Sequence, residues 1–175
     1  STVELQGLLF ALYQHIGEIE KRNEVFRALS EALRGTPAFK LQGVRFCEKV
    51  VGYRAVVPVY KAVFQPGQTV TIYGEFEGAS VRTLTGGGRE QQIQVYLTLL
   101  DSYGTVVDTV EFLSRKEGTR RLSPEETAST RSYFVGHYKL ADTLKPGNYQ
   151  LRLTATDLVG HRETHADLSF QVAPK

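Results

Sequence analysis

Methionine and tryptophan are both absent from this sequence, and cysteine occurs once, at Cys47. A lone cysteine excludes an internal disulfide, and with it the small secreted scaffolds that depend on several. Without a methionine even at the first position, Ser1 reads as an interior or processed start, so that a leader or anchor could have been removed from the piece. No apolar run approaches the ~20 residues that carry a helix across a bilayer, so this stretch holds no helical membrane span. Neither sign of charge dominates either. With 21 Lys and Arg against 19 Asp and Glu, the net charge of +2 gives no argument for nucleic acid as a partner.

What is present is a composition of ordinary globular type, 41% hydrophobic and 23% charged over 175 residues, enough for one domain with an appendage. The two parts differ in period. Residues 1–36 read as a helical segment, with Leu5, Leu9, Leu12, Ile16 and Ile19 in one stripe that Phe26, Leu29 and Leu33 continue. Ser1 and Glu4 fit a capping box, and Gly35 followed by Pro37 fits a stop. One long helix and a hairpin broken near Gly17 or Asn23 are both open. Leu5, Leu12, Ile19, Phe26 and Leu33 stand seven apart, a spacing that suits self-association.

Residues 37–175 read as a β domain. Phe39 to Val51 predicts a strand or pair of strands with an irregularity at Gly43, and Gln68 to Phe76 alternates cleanly. In the latter, Val70, Ile72, Gly74 and Phe76 share one face, while Thr71, Tyr73 and Glu75 share the other. Gly86, Gly87 and Gly88 predict a flexible loop across 85–91, after which Ile93, Val95, Leu97 and Leu99 resume an apolar face. Asp101 to Gly104 predicts a hairpin turn into Val106 to Leu113, and Asp157 to Gly160 another between Tyr149 to Ala155 and Ala166 to Val172. Residues 114–132 are polar, with a short helix expected to open at Ser123-Pro124-Glu125-Glu126. Tyr133 to Leu140 supplies one more strand. About seven strands, each greasy on one side, predict a mainly β, antiparallel sandwich behind an N-terminal helical segment.

The run Leu144-Lys145-Pro146-Gly147-Asn148-Tyr149-Gln150-Leu151 resembles the entry to the F strand of immunoglobulin-like and fibronectin-III-like domains. The phrase Phe64-Gln65-Pro66-Gly67-Gln68-Thr69-Val70 is similar to the opening of bacterial macroglobulin-type sandwich domains. The first resemblance implies that Tyr149 is a corner tyrosine. Leu151 stands where antibody-type domains have a cysteine, so no inter-sheet disulfide is implied. Such folds host many functions, and the likeness supplies no site residues.

Chemistry-bearing clusters are few. His161, Glu163 and His165 alternate, and on one extended strand they would project together as two imidazoles and a carboxylate, a set that zinc accepts. The apolar parity of Ala166, Leu168 and Phe170 puts that set on the solvent side, where ordinary exposed polar residues are the simpler reading. Asp101 and Asp157 fit turn chemistry better than calcium. Arg115, Lys116, Arg120 and Arg121 form a basic loop suited to an acidic partner or to plain solvation. Tyr73 and Tyr96, if outward on neighbouring strands, would form a platform for a sugar ring or a protein. Gly-x-Ser-x-Gly and phosphate-loop signatures are missing, and no cofactor is expected.

The sequence therefore points to a non-enzymatic binding or assembly module of a larger envelope or secreted, extracytoplasmic protein. A protein partner or self-association is expected. A carbohydrate-binding module is the first alternative, and a metal-dependent enzyme using His161, Glu163 and His165 the second.

Overall fold

The computed structural model describes residues 38–123 and 132–174. They form eleven strands: β1 (Lys40–Gly52), β2 (Ala55–Pro58), β3 (Val63–Phe64), β4 (Thr69–Glu77), β5 (Arg82–Thr83), β6 (Arg89–Leu100), β7 (Val106–Leu113), β8 (Thr119–Leu122), β9 (Ser132–Lys139), β10 (Gly147–Asp157) and β11 (Arg162–Val172). A first sheet runs β2-β1-β4-β9. A second runs β3-β11-β10-β6-β5, with β7 and β8 also paired to β6. This is a β-sandwich.

The expected count of about seven strands is corrected to eleven. The seven long strands carry enough residues for a two-residue period to show, whereas β2, β3, β5 and β8 are two to four residues long and carry none. No helix occurs among the described residues, and none there is long and apolar enough to cross a membrane. The helical segment expected over 1–36 and the short helix expected from Ser123 onward lie outside the described residues, apart from Ser123 itself.

The alternation in each long strand closes into one core. Ile72, Val95, Leu97, Leu140, Leu151, Leu153 and Val172 are all fully or almost fully buried in it. Phe46, Phe64 and Phe170 meet there with ring centroids 4.9 to 5.8 Å apart, so β1, β3 and β11 are locked across the two sheets. Burying each such side chain contributes roughly 1.5–3 kcal/mol against exposure. Gly74 makes one close approach possible. Phe134, its cross-strand partner, lies over it, and a Cβ there would stand 2.5 Å from the ring.

The turn chemistry follows the sequence. Gln68 donates to the Gln65 carbonyl at 3.1 Å with Gly67 at φ +80°, as a type II turn at Pro66-Gly67 requires. The Asp101 carboxylate accepts from the amides of Tyr103 and Thr105. Asp157, fully buried, accepts from Val159, Gly160, Ser80 and Arg162, which ties the β10–β11 turn to the loop after β4. Burial pushes its carboxyl up, but the amides and the guanidinium outweigh that and hold it below the ordinary range. Both aspartates thus do turn work. The glycine run forms a tight β5–β6 turn in which Gly87 donates to the Leu84 carbonyl at 3.0 Å, and Arg89 to Gln91 already belong to β6. The Tyr149 hydroxyl donates to the Lys145 carbonyl at 3.0 Å, four residues upstream.

Candidate functional site

Of the two outward faces, that of the first sheet carries the more elaborate arrangement. In β4, Thr71, Tyr73 and Glu75 point away from the core, yet Tyr73 is 0% and Glu75 4% exposed. What covers them is the tip of the β1–β2 hairpin. Tyr53 and Arg54 form that tip, and Arg54 sits at φ +58°, a left-handed conformation that a non-glycine residue enters at a penalty of roughly 1 kcal/mol or more. In that conformation the Arg54 amide donates to the Tyr73 hydroxyl at 3.0 Å.

Glu75 is the hub. It accepts from the Tyr73 hydroxyl at 3.0 Å, the Tyr53 hydroxyl at 3.4 Å, and Nε and Nη2 of Arg54 at 3.2 Å each. Burial alone would push its carboxyl up, but the bonds from Arg54 and Tyr73 outweigh burial and hold it below the usual range. Burial also pushes the Tyr73 phenol up. A carboxylate saturated in this way is poised to fix neighbours in place.

The neighbours it fixes are aromatic. Tyr133, from β9, stacks on Tyr73 with centroids 5.8 Å apart and an interplanar angle of 29°. It meets Tyr53 at 6.0 Å. The Arg54 guanidinium carbon lies 5.2 Å from the centre of the Tyr53 ring. Tyr53 and Tyr133 are 40% and 43% exposed, so two rings face solvent above a buried anchor. Exposed Val135 continues the face along β9, and Thr71 and His137 close it with a 3.1 Å contact. Beside the hub lies a cleft of about 380 Å³ lined by Gln42, Arg45, Arg54, Val56 and Glu75, among others.

The residues singled out in the sequence fall elsewhere or apart. Tyr73 is covered where an open position was expected, and Tyr96 lies on β6 in the other sheet, half-exposed and bonded to Gln94. The two tyrosines do not form a platform; Tyr73 shares one with Tyr53 and Tyr133. Glu163 and His165 lie exposed on β11, but His161 stands before that strand at φ +51°, which breaks the alternation that would align the trio. Among the described residues no group of three or more His, Cys, Asp or Glu is placed to hold a metal ion. Arg115 and Lys116 are exposed in the β7–β8 turn, where Glu117 binds Ser114. Arg120 and Arg121 belong to β8 and line a separate cleft of about 480 Å³. Cys47 is buried, and burial pushes its thiol up.

Tyr133 and Tyr53 were missed. Tyr133 could have been found from the parity of β9, which sets it opposite the core residues Phe134 and Tyr138. Nothing local marks Tyr53.

No family model and no curated protein matches this chain. It is similar to a family 123 glycoside hydrolase from Clostridium perfringens (12% identity, 77% of this chain and 27% of that one, TM-score 0.48). It is similar to the sporulation control protein Spo0M from Bacillus subtilis (10%, 79% and 50%, TM-score 0.43) and to the C-terminal domain of wzt (12%, 79% and 80%, TM-score 0.44). This chain thus spans about a quarter of the first and half of the second. At such identities and TM-scores these likenesses bear on neither an activity nor a ligand.

Proposed function

We propose that the sandwich is a non-enzymatic binding module that takes a protein partner on the tyrosine face of the first sheet. The observation that carries this is the pair of half-exposed rings, Tyr53 and Tyr133, held above a buried carboxylate hub. Tyrosines held rigid before contact lose little conformational freedom on binding, and with arginine they dominate interface hot spots. Arg54 borders the Tyr53 ring, and Arg45 lines the cleft beside the hub. The immunoglobulin-like or fibronectin-III-like reading of the fold is supported by the Tyr149 corner bond and by β3 running parallel to β11.

A photo-cross-linking residue placed at Tyr133, with Tyr96 as the control position, tests the reading. Capture of one partner from Tyr133, lost on Tyr53→Ala, supports it. Equal capture from both positions, or none from either, removes it. The same exposed rings favour a glycan as the second reading. Glycan-array binding that Tyr53→Ala and Tyr133→Ala abolish would replace the protein partner with a sugar.

A further inference from the structure

We propose that β9 is an assembly edge, on which a second copy of this chain pairs antiparallel about Gly136 and joins the two first sheets into one. The proposal rests on the edges of the sandwich and stands apart from the tyrosine-face reading.

Unpaired strand edges invite pairing with other chains, and natural sheets blunt them with short strands, prolines, bulges and charge. Here the other edges are blunted. β2 is four residues long, ends at Pro58 and is shifted twice in register against β1. β3 and β5 have two residues each, β8 four, and β7 is shifted twice against β6. β9 differs from all of them. It runs eight residues against β4 without one register shift and contains no proline. Among the described residues no strand pairs with its other side, which β7 approaches through Phe112, whose ring meets Phe134 and lies over Gly136, and through the bond from Tyr138 to Asp108.

The phase of the ladder says which groups that side presents. The Leu140 amide donates to the Gln68 carbonyl at 2.9 Å, so the pair 68/140 is of the hydrogen-bonded kind, and such pairs alternate along an antiparallel ladder. Residues 134, 136 and 138 therefore bond to β4. The N–H and C=O of Tyr133, Val135, His137 and Lys139 point to the open side.

Two copies related by a two-fold axis at Gly136 match these groups one to one. Tyr133 falls opposite Lys139, and Val135 opposite His137, with each outward N–H meeting an outward C=O of the partner copy. Lys139 is the only full charge on the strand, and this register sets it against an aromatic ring rather than against its own copy. At the axis glycine faces glycine, so β9 itself brings no side chain there, and the Phe112 ring that lies over Gly136 does so on the inward face, with Phe134 and Tyr138. A closed isologous pair uses up the edge and leaves none for further growth.

Sedimentation of the whole chain over a broad concentration series tests this, together with Val135→Pro and Val135→Lys. The Val135 amide faces away from β4, so proline there removes a donor from the edge while sparing the existing ladder. The expected result is a species of twice the 19.5 kDa chain mass that both variants reduce to a monomer with β-sheet circular dichroism intact. A wild-type monomer at every concentration overturns the proposal, as does a dimer that both variants retain. Should the variants fail to fold, hydrogen exchange on the wild type decides. Amides 133, 135, 137 and 139 slowing as concentration rises supports the pairing, and exchange independent of concentration rejects it.

Discussion

The two outward faces of this sandwich begin from the same alternation and end in different states. On the second sheet, Glu163 and His165 stand in solvent, and Arg152 pairs with Asp167 at 2.9 Å across the β10–β11 ladder in the open. On the first sheet, the equivalent outward residues Tyr73 and Glu75 are sealed by a hairpin tip. The contrast teaches that strand parity decides which way a side chain points, while neighbouring loops decide whether it meets water. A carboxylate that points outward and is still dry has to be matched by several donors, and that requirement binds Tyr53, Arg54, Tyr73 and Glu75 into a unit.

The sharpest way to break the contrast is to remove the carboxylate on each side. Glu75→Ala leaves the buried Tyr73 hydroxyl without its acceptor and the Arg54 guanidinium without its carboxylate, and should destabilise the domain by about 2–3 kcal/mol. Arg54 is half-exposed and can rehydrate, which keeps the effect below that of breaking a fully buried pair. Glu163→Ala on the second sheet should change stability by no more than about 0.5 kcal/mol. Urea midpoints of the two variants measure both, and equal losses would mean that the hub is not distinctive.

Acid separates the same carboxylate from its surroundings. Because the folded Glu75 carboxyl lies below its ordinary value of 4.5, its contribution is complete above that value and is lost as pH falls through the folded one. The stability gap between wild type and Glu75→Gln should therefore be widest near neutrality and narrow below pH 4.5. A gap constant from neutral pH to pH 3 would contradict the assignment.

Tyr73→Phe is the gentler probe. It keeps the ring stacked on Tyr133 and removes only the hydroxyl that joins the Arg54 amide to Glu75, so about 1–1.5 kcal/mol should be lost. The readout that a packing role would not move is the Tyr53 ring. It should become more mobile by NMR relaxation in Tyr73→Phe and stay unchanged in Tyr96→Phe.

These residues also mark how far local sequence reaches. The seven long strands, the irregularity at Gly43, the turns at Gly67, Asp101 and Asp157, and the buried Leu151 and Phe170 all follow from period and turn chemistry, which are properties of neighbouring residues. The four short strands have no period to read. Tyr73 was placed on the correct face but with the wrong exposure, because its cover comes from Tyr53 and Arg54, twenty residues upstream by way of a two-residue hairpin tip with nothing in its composition to announce a left-handed arginine. His161 shows the converse. Parity predicted an aligned trio, and a single positive φ before β11 removed one member.

The smallest effect belongs to the second sheet's own ion pair. Arg152 grips Asp167 through Nε and Nη2 at 2.9 Å each, and the guanidinium beside it holds the Asp167 carboxyl below the ordinary range. By geometry alone this pair is the tighter of the two, since Arg54 reaches Glu75 at 3.2 Å. Its setting differs, since both partners stay in reach of water, where screening and the ordering of two side chains offset most of the attraction. A double-mutant cycle of Arg152→Ala and Asp167→Ala should give a small coupling that vanishes at high salt, while the coupling of Arg54→Ala with Glu75→Ala should persist there because Glu75 is dry. Salt that erased both couplings alike would show that the hairpin tip does not shield Glu75, and the distinction between the two faces would fail with it.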